Sequence, residues 1–150
     1  MFIIRPYCQS DKDELINLWC KCGLTHPDND PARDIARKME VNPEWLLVGL
    51  NDGKLVASVM VGYDGHRGWV NYLGVDPDCR KQGLGREMMA KAELVLKAAG
   101  CPKINLQVRS SNSSVLAFYK AIGFRLDDVI GMSRRFVIDN PEVEGYCPEA

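Results

Sequence analysis

Tyr72-Leu73-Gly74-Val75-Asp76-Pro77-Asp78-Cys79-Arg80-Lys81-Gln82-Gly83-Leu84-Gly85-Arg86 is the stretch on which the fold of this chain turns. A β-type run ends at Val75, Asp76-Pro77 forces a turn, and a basic, glycine-bearing segment opens onto a helical apolar pattern that reaches about Ala99. The sequence therefore predicts a strand, a loop and a helix start. The first N–H groups of a helix lack intrahelical partners and lie at the positive end of its dipole, so this junction suits an anion. Gly83 and Gly85 let a phosphate approach the backbone with no Cβ in the way, and Arg80, Lys81 and Arg86 add positive charge around it. A surface turn carrying solubilising cations has the same local signature.

On the N-terminal side, Phe2 to Arg5 reads as a first strand closed by Pro6. Ser10 is the expected N-cap of a helix with Leu15, Ile16, Leu18, Trp19 and Cys22 on one face, ended by Gly23. A turn-rich linker, Thr25 to Pro31, precedes a second helix whose buried stripe contains Ile35 and Met39. Trp45 to Leu50 and Leu55 to Tyr63 flank the hairpin signal Asn51-Asp52-Gly53-Lys54, and Leu55, Ala57, Val59, Val61 and Tyr63 alternate onto one face. After the tight connection Asp64 to Gly68, Trp69 to Val75 completes an antiparallel meander.

On the C-terminal side, Leu84, Met88, Ala92, Val95 and Ala99 recur at helical spacing, and Gly100 stops the helix. Lys103 to Val108 follows as a strand parallel to its neighbour. Ser110-Ser111-Asn112 caps a last helix that ends at Gly123, and Phe124 to Leu126 with Gly131 to Val137 reads as a closing strand pair. The expected class is α/β (α+β) with a mixed sheet. Residues 1–137 form one domain, and 138–150, holding two prolines and four carboxylates from Asp139 onward, form a loose acidic extension.

Composition narrows the function. One domain of 150 residues buries roughly 70% of its unfolded surface without a metal or disulfide. With 19 basic and 20 acidic side chains the long-range field of a nucleic-acid binder is missing. Met1-Phe2-Ile3-Ile4-Arg5-Pro6 becomes charged and proline-broken too early for a signal peptide, and no apolar run approaches the roughly 20 residues of a membrane span. A soluble cytoplasmic protein without a membrane partner is expected. The six cysteines, at 8, 20, 22, 79, 101 and 147, lack zinc-ribbon spacing. Cys20 and Cys22, two residues apart on a helix, point to different faces, so no metal is expected even with His26 nearby.

Two phosphate-loop motifs fail against the opening stretch. A P-loop needs Gly-Lys-Ser/Thr, whereas Arg86-Glu87 follows Gly85, and a dinucleotide fingerprint needs a small residue where Met88 stands. Arg80-x-x-Gly83-x-Gly85 after a Leu-x-Val-x-Pro strand end instead resembles the acetyl-coenzyme A loop of the GNAT superfamily of N-acetyltransferases. A second block, Asn112, Tyr119 seven residues on, and Gly123-Phe124, resembles that family's Asn…Tyr…Gly-Phe helix. The order of elements agrees as well, so the resemblance covers residues 2–137. Tyr63-Asp64-Gly65-His66-Arg67-Gly68 looks most like the bacterial YpeA-type acetyltransferases within it.

The resemblance implies a mostly antiparallel sheet of about seven strands with one parallel, splayed pair, flanked by four helices. It implies acetyl-CoA as co-substrate, with main-chain N–H groups of Arg80, Lys81, Gln82, Gly83, Leu84, Gly85 and Arg86 on the diphosphate. Leu73, Gly74 and Val75 would form the strand end that pairs with the pantetheine arm, and Asn112 would shape its channel or simply cap its helix. Tyr119 would be the general acid, since a phenol with pKa of about 10 is protonated at neutral pH; its plainer reading is a core aromatic.

Some relatives use a glutamate base five residues before the asparagine, and here that position is Gln107, which cannot accept a proton. Asp64, His66, Asp28 and Asp30 are the remaining base candidates, each equally readable as a turn former or solvated charge. The function implied is direct transfer of an acetyl group to a primary amine of a small molecule or peptide in a ternary complex. The alternative is a non-catalytic CoA or acyl-CoA binding module that regulates a partner. Exposed strand edges would also allow a homodimer.

Overall fold

The computed structural model describes residues 1–140. Strand β1 (Phe2–Pro6) passes through a short 3₁₀ turn into helix α1 (Lys12–Lys21), and a linker leads to α2 (Pro31–Met39). The turn before α1 is closed by Asp11 rather than by the expected Ser10. Its carboxylate accepts from the Cys8 N–H at 2.9 Å and takes two bonds from the Arg5 guanidinium at 2.7 and 2.9 Å. Asp30 caps α2 by accepting from Ala32 N–H at 2.9 Å, ahead of Pro31 at the first helical position.

Strands β2 (Leu46–Asn51), β3 (Lys54–Tyr63) and β4 (Gly68–Val75) form the expected meander. Asp52 (φ 49°) and Gly53 (φ 83°) both adopt the positive φ that a two-residue hairpin requires. Helix α3 (Leu84–Ala98), strand β5 (Ile104–Asn105) and helix α4 (Ser113–Ala121) complete the regular elements. The sheet order is β1-β2-β3-β4-β5, antiparallel except for the parallel β4/β5 pair. A strand reached through a helix returns in the direction of its neighbour, as β5 does.

Alternation in the strands gives the sheet two apolar faces. Leu47, Ala57, Val59, Val61 and Val70 pack with Met88, Met89, Ala92 and Leu96 of α3 and with Tyr119 of α4. Leu46, Val48 and Leu50 pack on the other side with Leu15, Leu18 and Trp19 of α1 and Ile35 of α2. Leu55 belongs to this second cluster, not to the face of Ala57 on which alternation placed it. The register shifts between Gly49 and Leu50, leaving Val56 as an extra residue, and such a bulge reverses the faces beyond it.

The four helices and the mixed sheet agree with expectation, but the described residues contain five strands rather than about seven. Lys103 to Val108 contributes only Ile104 and Asn105 to the ladder. Phe124 to Leu126 and Gly131 to Val137 form no strand. β-forming composition acts only where a neighbouring edge supplies hydrogen bonds and cover, and here Leu126 (71% exposed), Ile130 (91%) and Phe136 (90%) face solvent. Side chains hold this segment instead: Lys103 pairs with Asp127 at 3.0 Å, and Arg135 lies 3.8 Å from Asp28. Asp139, expected in a loose tail, has a side chain only 1% exposed and takes two bonds from Arg37 at 2.7 and 3.0 Å. The rest of the acidic extension, 141–150, lies outside the described residues. No helix among the described residues is long and apolar enough to cross a membrane.

Candidate active site

The loop after β4 is built from its first residue. Buried Asp76 accepts from Asp78 N–H at 3.0 Å and lies 3.5 Å from Lys21 Nζ. These contacts, led by the Asp78 N–H, hold its carboxyl below the ordinary range. A 3₁₀ turn over Pro77–Cys79 follows, then Lys81 (φ 61°) and Gly83 (φ 80°) bend the chain into α3. The first bonded N–H in this region is that of Glu87, which donates to the Gly83 carbonyl at 3.1 Å. The main-chain N–H groups from Arg80 through Arg86 therefore donate to no group among the described residues.

The two loop glycines serve different ends. Gly83 supplies the left-handed backbone at the N-cap of α3. Gly85 is a packing residue: a Cβ there would lie 3.3 Å from two carbons of the Phe118 ring and 3.6 Å from Val75 Cγ2. Its bareness thus brings the head of α3 against α4 rather than clearing a path to the backbone. Lys81 and Arg86 have no carboxylate partner among the described residues, and Arg80 folds back so that its Nε donates to the Val75 carbonyl at 3.2 Å.

Beside this loop the sheet opens. β4 and β5 pair only through Gly68 with Ile104 and Trp69 with Asn105, so among the described residues no strand lies against the β4 edge beyond Trp69. Asp76 N–H donates to the Val56 carbonyl of β3. By strand alternation the main-chain groups of Leu73 and Val75 then face away from β3, into that opening, while Gly74 pairs with Ser58. Arg80 Nε and Cys22 Sγ, the latter at 3.3 Å, both reach the Val75 carbonyl from there.

Tyr119 and Asn112 enter from α4. The Tyr119 ring meets Phe118 and Phe124 edge-on, with centroids 5.1 and 5.4 Å away. Burial pushes its phenol up to about 12. Among the described residues its hydroxyl has no hydrogen-bond partner, yet it is not sealed from solvent as that of Tyr7 is. Asn112 caps α4, its Oδ1 accepting from Val115 N–H at 3.3 Å and Ser114 Oγ at 3.2 Å.

Three of the four base candidates are otherwise engaged. Asp64 closes its own turn by accepting from His66 and Arg67 N–H groups at 2.8 and 2.7 Å, which hold its carboxyl low. His66 is exposed, Asp28 lies between His26 and Arg135, and Asp30 caps α2. Gln107 is exposed.

Beyond these, the structure assembles a cluster that local patterning does not reveal. Trp19, Asp34, Ser58 and Tyr72 meet on the α1/α2 side of β4, although they are far apart in the chain. Tyr72 Oη donates to Asp34 Oδ2 at 2.6 Å, and burial together with that carboxylate pushes the phenol well above its usual value, so it remains a donor.

Comparison with known proteins bears on this geometry. The family model described as Acetyltransferase (GNAT) family matches residues 12–124. An acetyltransferase of Yersinia enterocolitica is 44% identical over 136 residues, covering 91% of this chain and 96% of that one. Among solved structures, a transcriptional regulator from Bacillus halodurans matches with a TM-score of 0.74 at 20% identity, over 91% of this chain and 100% of that one. The PaiA N-acetyltransferase from Thermoplasma acidophilum, solved in complex with coenzyme A, matches with a TM-score of 0.70 at 18% identity, over 87% of this chain and 94% of that one. These two structures speak for the fold alone.

Proposed function

Since the chain belongs to the GNAT acetyltransferase family, and is therefore an acyltransferase, we propose that it moves the acetyl group of acetyl-CoA to a primary amine of a small molecule or peptide by direct attack in a ternary complex. The observation that carries this reading is the run of unpartnered N–H groups from Arg80 to Arg86 at the head of a long helix. Donors gathered at the head of a helix with no internal acceptor are completed by water or by an anion, and a diphosphate supplies acceptors for several of them at once. Arg80, Lys81, Gln82, Gly83, Leu84, Gly85 and Arg86 would hold that group. Leu73 and Val75, flanking Gly74, would take the pantetheine amides along the open β4 edge, and Asn112 would border the same channel.

Bound there, acetyl-CoA supplies an acetyl group activated as a thioester. Tyr119 Oη keeps its proton throughout the neutral range and, having no acceptor among the described residues, would donate it to a thiolate at the mouth of the gap. Lys81 and Arg86 add charge that speeds capture of an anionic donor without a strong overall field. Gln107 cannot accept the proton that an attacking neutral amine loses, so in this reading solvent carries that proton back to the Tyr119 phenolate and restores the acid.

Calorimetric titration with acetyl-CoA, CoA and ATP tests the site. Binding of both coenzymes and not of ATP is expected, and equal binding of all three would remove the donor assignment. Thiol release measured against polyamines, amino acids, aminoglycosides and peptides then tests turnover. Tight binding without release for any amine class would favour a regulatory binding module.

A further inference from the structure

Tyr72 holds a positive φ of 51°, a conformation that a bulky residue keeps only where its surroundings over-determine it. It sits in a bulge: Asn71 pairs with Met60 and Gly74 with Ser58, so Tyr72 and Leu73 together oppose Val59. Three contacts fix it there, and a hydrogen bond between two of its partners braces them. Its ring stacks on Trp19 with centroids 3.8 Å apart and planes 12° from parallel. Trp19 Nε1 donates to Ser58 Oγ at 2.9 Å, and Ser58 Oγ donates to the Tyr72 carbonyl at 2.8 Å. Tyr72 Oη donates to Asp34 Oδ2.

Asp34 is itself held from outside. Asn29 Nδ2 donates to Oδ2 at 3.0 Å and Arg37 donates to Oδ1 at 2.9 Å, while Arg37 is gripped by Asp139, which also accepts from Asp30 N–H at 2.8 Å. The bulge therefore connects through α2 to the C-terminal segment.

We propose that Tyr72 is a positioning residue for the acetyl donor, clamped by Asp34 so that the bulge turns the main-chain groups of Leu73 and Val75 into the gap beyond Trp69 and Asn105. The inference rests on the reading that this edge receives the pantetheine arm. Loss of the clamp lets the bulge relax toward a regular ladder, in which a one-residue slip would turn Leu73 toward β3. The loop from Arg80 to Arg86 is anchored separately, through Asp76 and the packing of Gly85 on Phe118, and does not depend on Tyr72.

The test separates the two anchors by measuring calorimetric affinity for CoA and for adenosine 3′-phosphate 5′-diphosphate, which keeps the diphosphate and lacks pantetheine. Tyr72→Phe keeps the ring stack and Asp34→Ala keeps the hydroxyl. Each is expected to weaken CoA by about tenfold, the size of a lost hydrogen bond to a carboxylate, while leaving the fragment within about twofold. Asp34→Asn, which retains an oxygen for the hydroxyl, should recover most of the loss. If Tyr72→Phe does not fold, Asp34→Ala and Asp34→Asn carry the comparison. Unchanged CoA affinity in the folded variants, or equal weakening of both ligands, overturns the inference. Wild-type protein that binds neither ligand overturns the donor-site reading and the inference with it.

Discussion

Gly85 approaches the Phe118 ring so closely that a methyl group on its Cα would sit 3.3 Å from two ring carbons. That approach sets where the head of α3, with its unpartnered N–H groups, stands relative to α4 and Tyr119. Gly85→Ala has two opposed effects on stability: about 0.5–1 kcal/mol gained in helix propensity, and an overpacking cost of similar size. The melting temperature should change little, while displacement of the loop weakens CoA by about tenfold in titration calorimetry. A variant with unaltered affinity would show that the contact does not set the loop.

Gly83 behaves differently. Nothing lies within 4 Å of a Cβ built on it, so the cost of Gly83→Ala comes from φ of 80° alone. A loss of about 1–2 kcal/mol is expected in urea unfolding, and Gly83→Asn should lose less because asparagine tolerates the left-handed region.

Tyr119→Phe removes a hydroxyl that bonds to no group among the described residues and leaves the ring against Phe118 and Phe124. Turnover should fall about a hundredfold with CoA affinity unchanged, the mark of a group acting in the chemical step. With the phenol pushed up to about 12, its deprotonation should not limit the rate between about pH 7 and 10. An unchanged turnover number would remove Tyr119 from the mechanism.

Asp11 links stability to acid. Its bonds from Arg5, followed by the Cys8 N–H, lower its carboxyl from 3.8 to about 2. A depressed carboxyl stabilises the fold fully above its unfolded value, and that contribution disappears as pH falls through about 2. Its size is about 1–2 kcal/mol once the partial exposure of Arg5 is allowed for. Unfolding free energies of Asp11→Asn measured from pH 5 to 2 should fall less steeply than those of the wild type. Parallel curves would discard the pairing as a source of acid sensitivity.

Much of the architecture was legible because it is written in short stretches. The Asp52-Gly53 hairpin, the cap at Asn112, and the strand–turn–helix passage from Leu73 to Arg86 each depend on residues a few positions apart, and each formed where expected. The family blocks around Gly83 and Tyr119 are equally local, so they could be read without coordinates. The closing strands could not. Leu126 to Val137 has β-forming composition, but a strand exists only if an edge is offered to it, and β5 offers two residues.

The same limit hid the groups around the gap. Trp19, Asp34, Ser58 and Tyr72 come from α1, α2, β3 and β4, and Asp139 comes from the far end of the described chain. No spacing rule joins them. The local sequence sets the four helices, the β2–β4 meander, their order and the passage from strand to loop to helix, because backbone preference and apolar periodicity act over one or two turns. Only the tertiary structure decided that a tyrosine would be held in a left-handed bulge beside that loop, because the hydrogen bonds and ring stacking that offset its strain exist only after distant segments have packed.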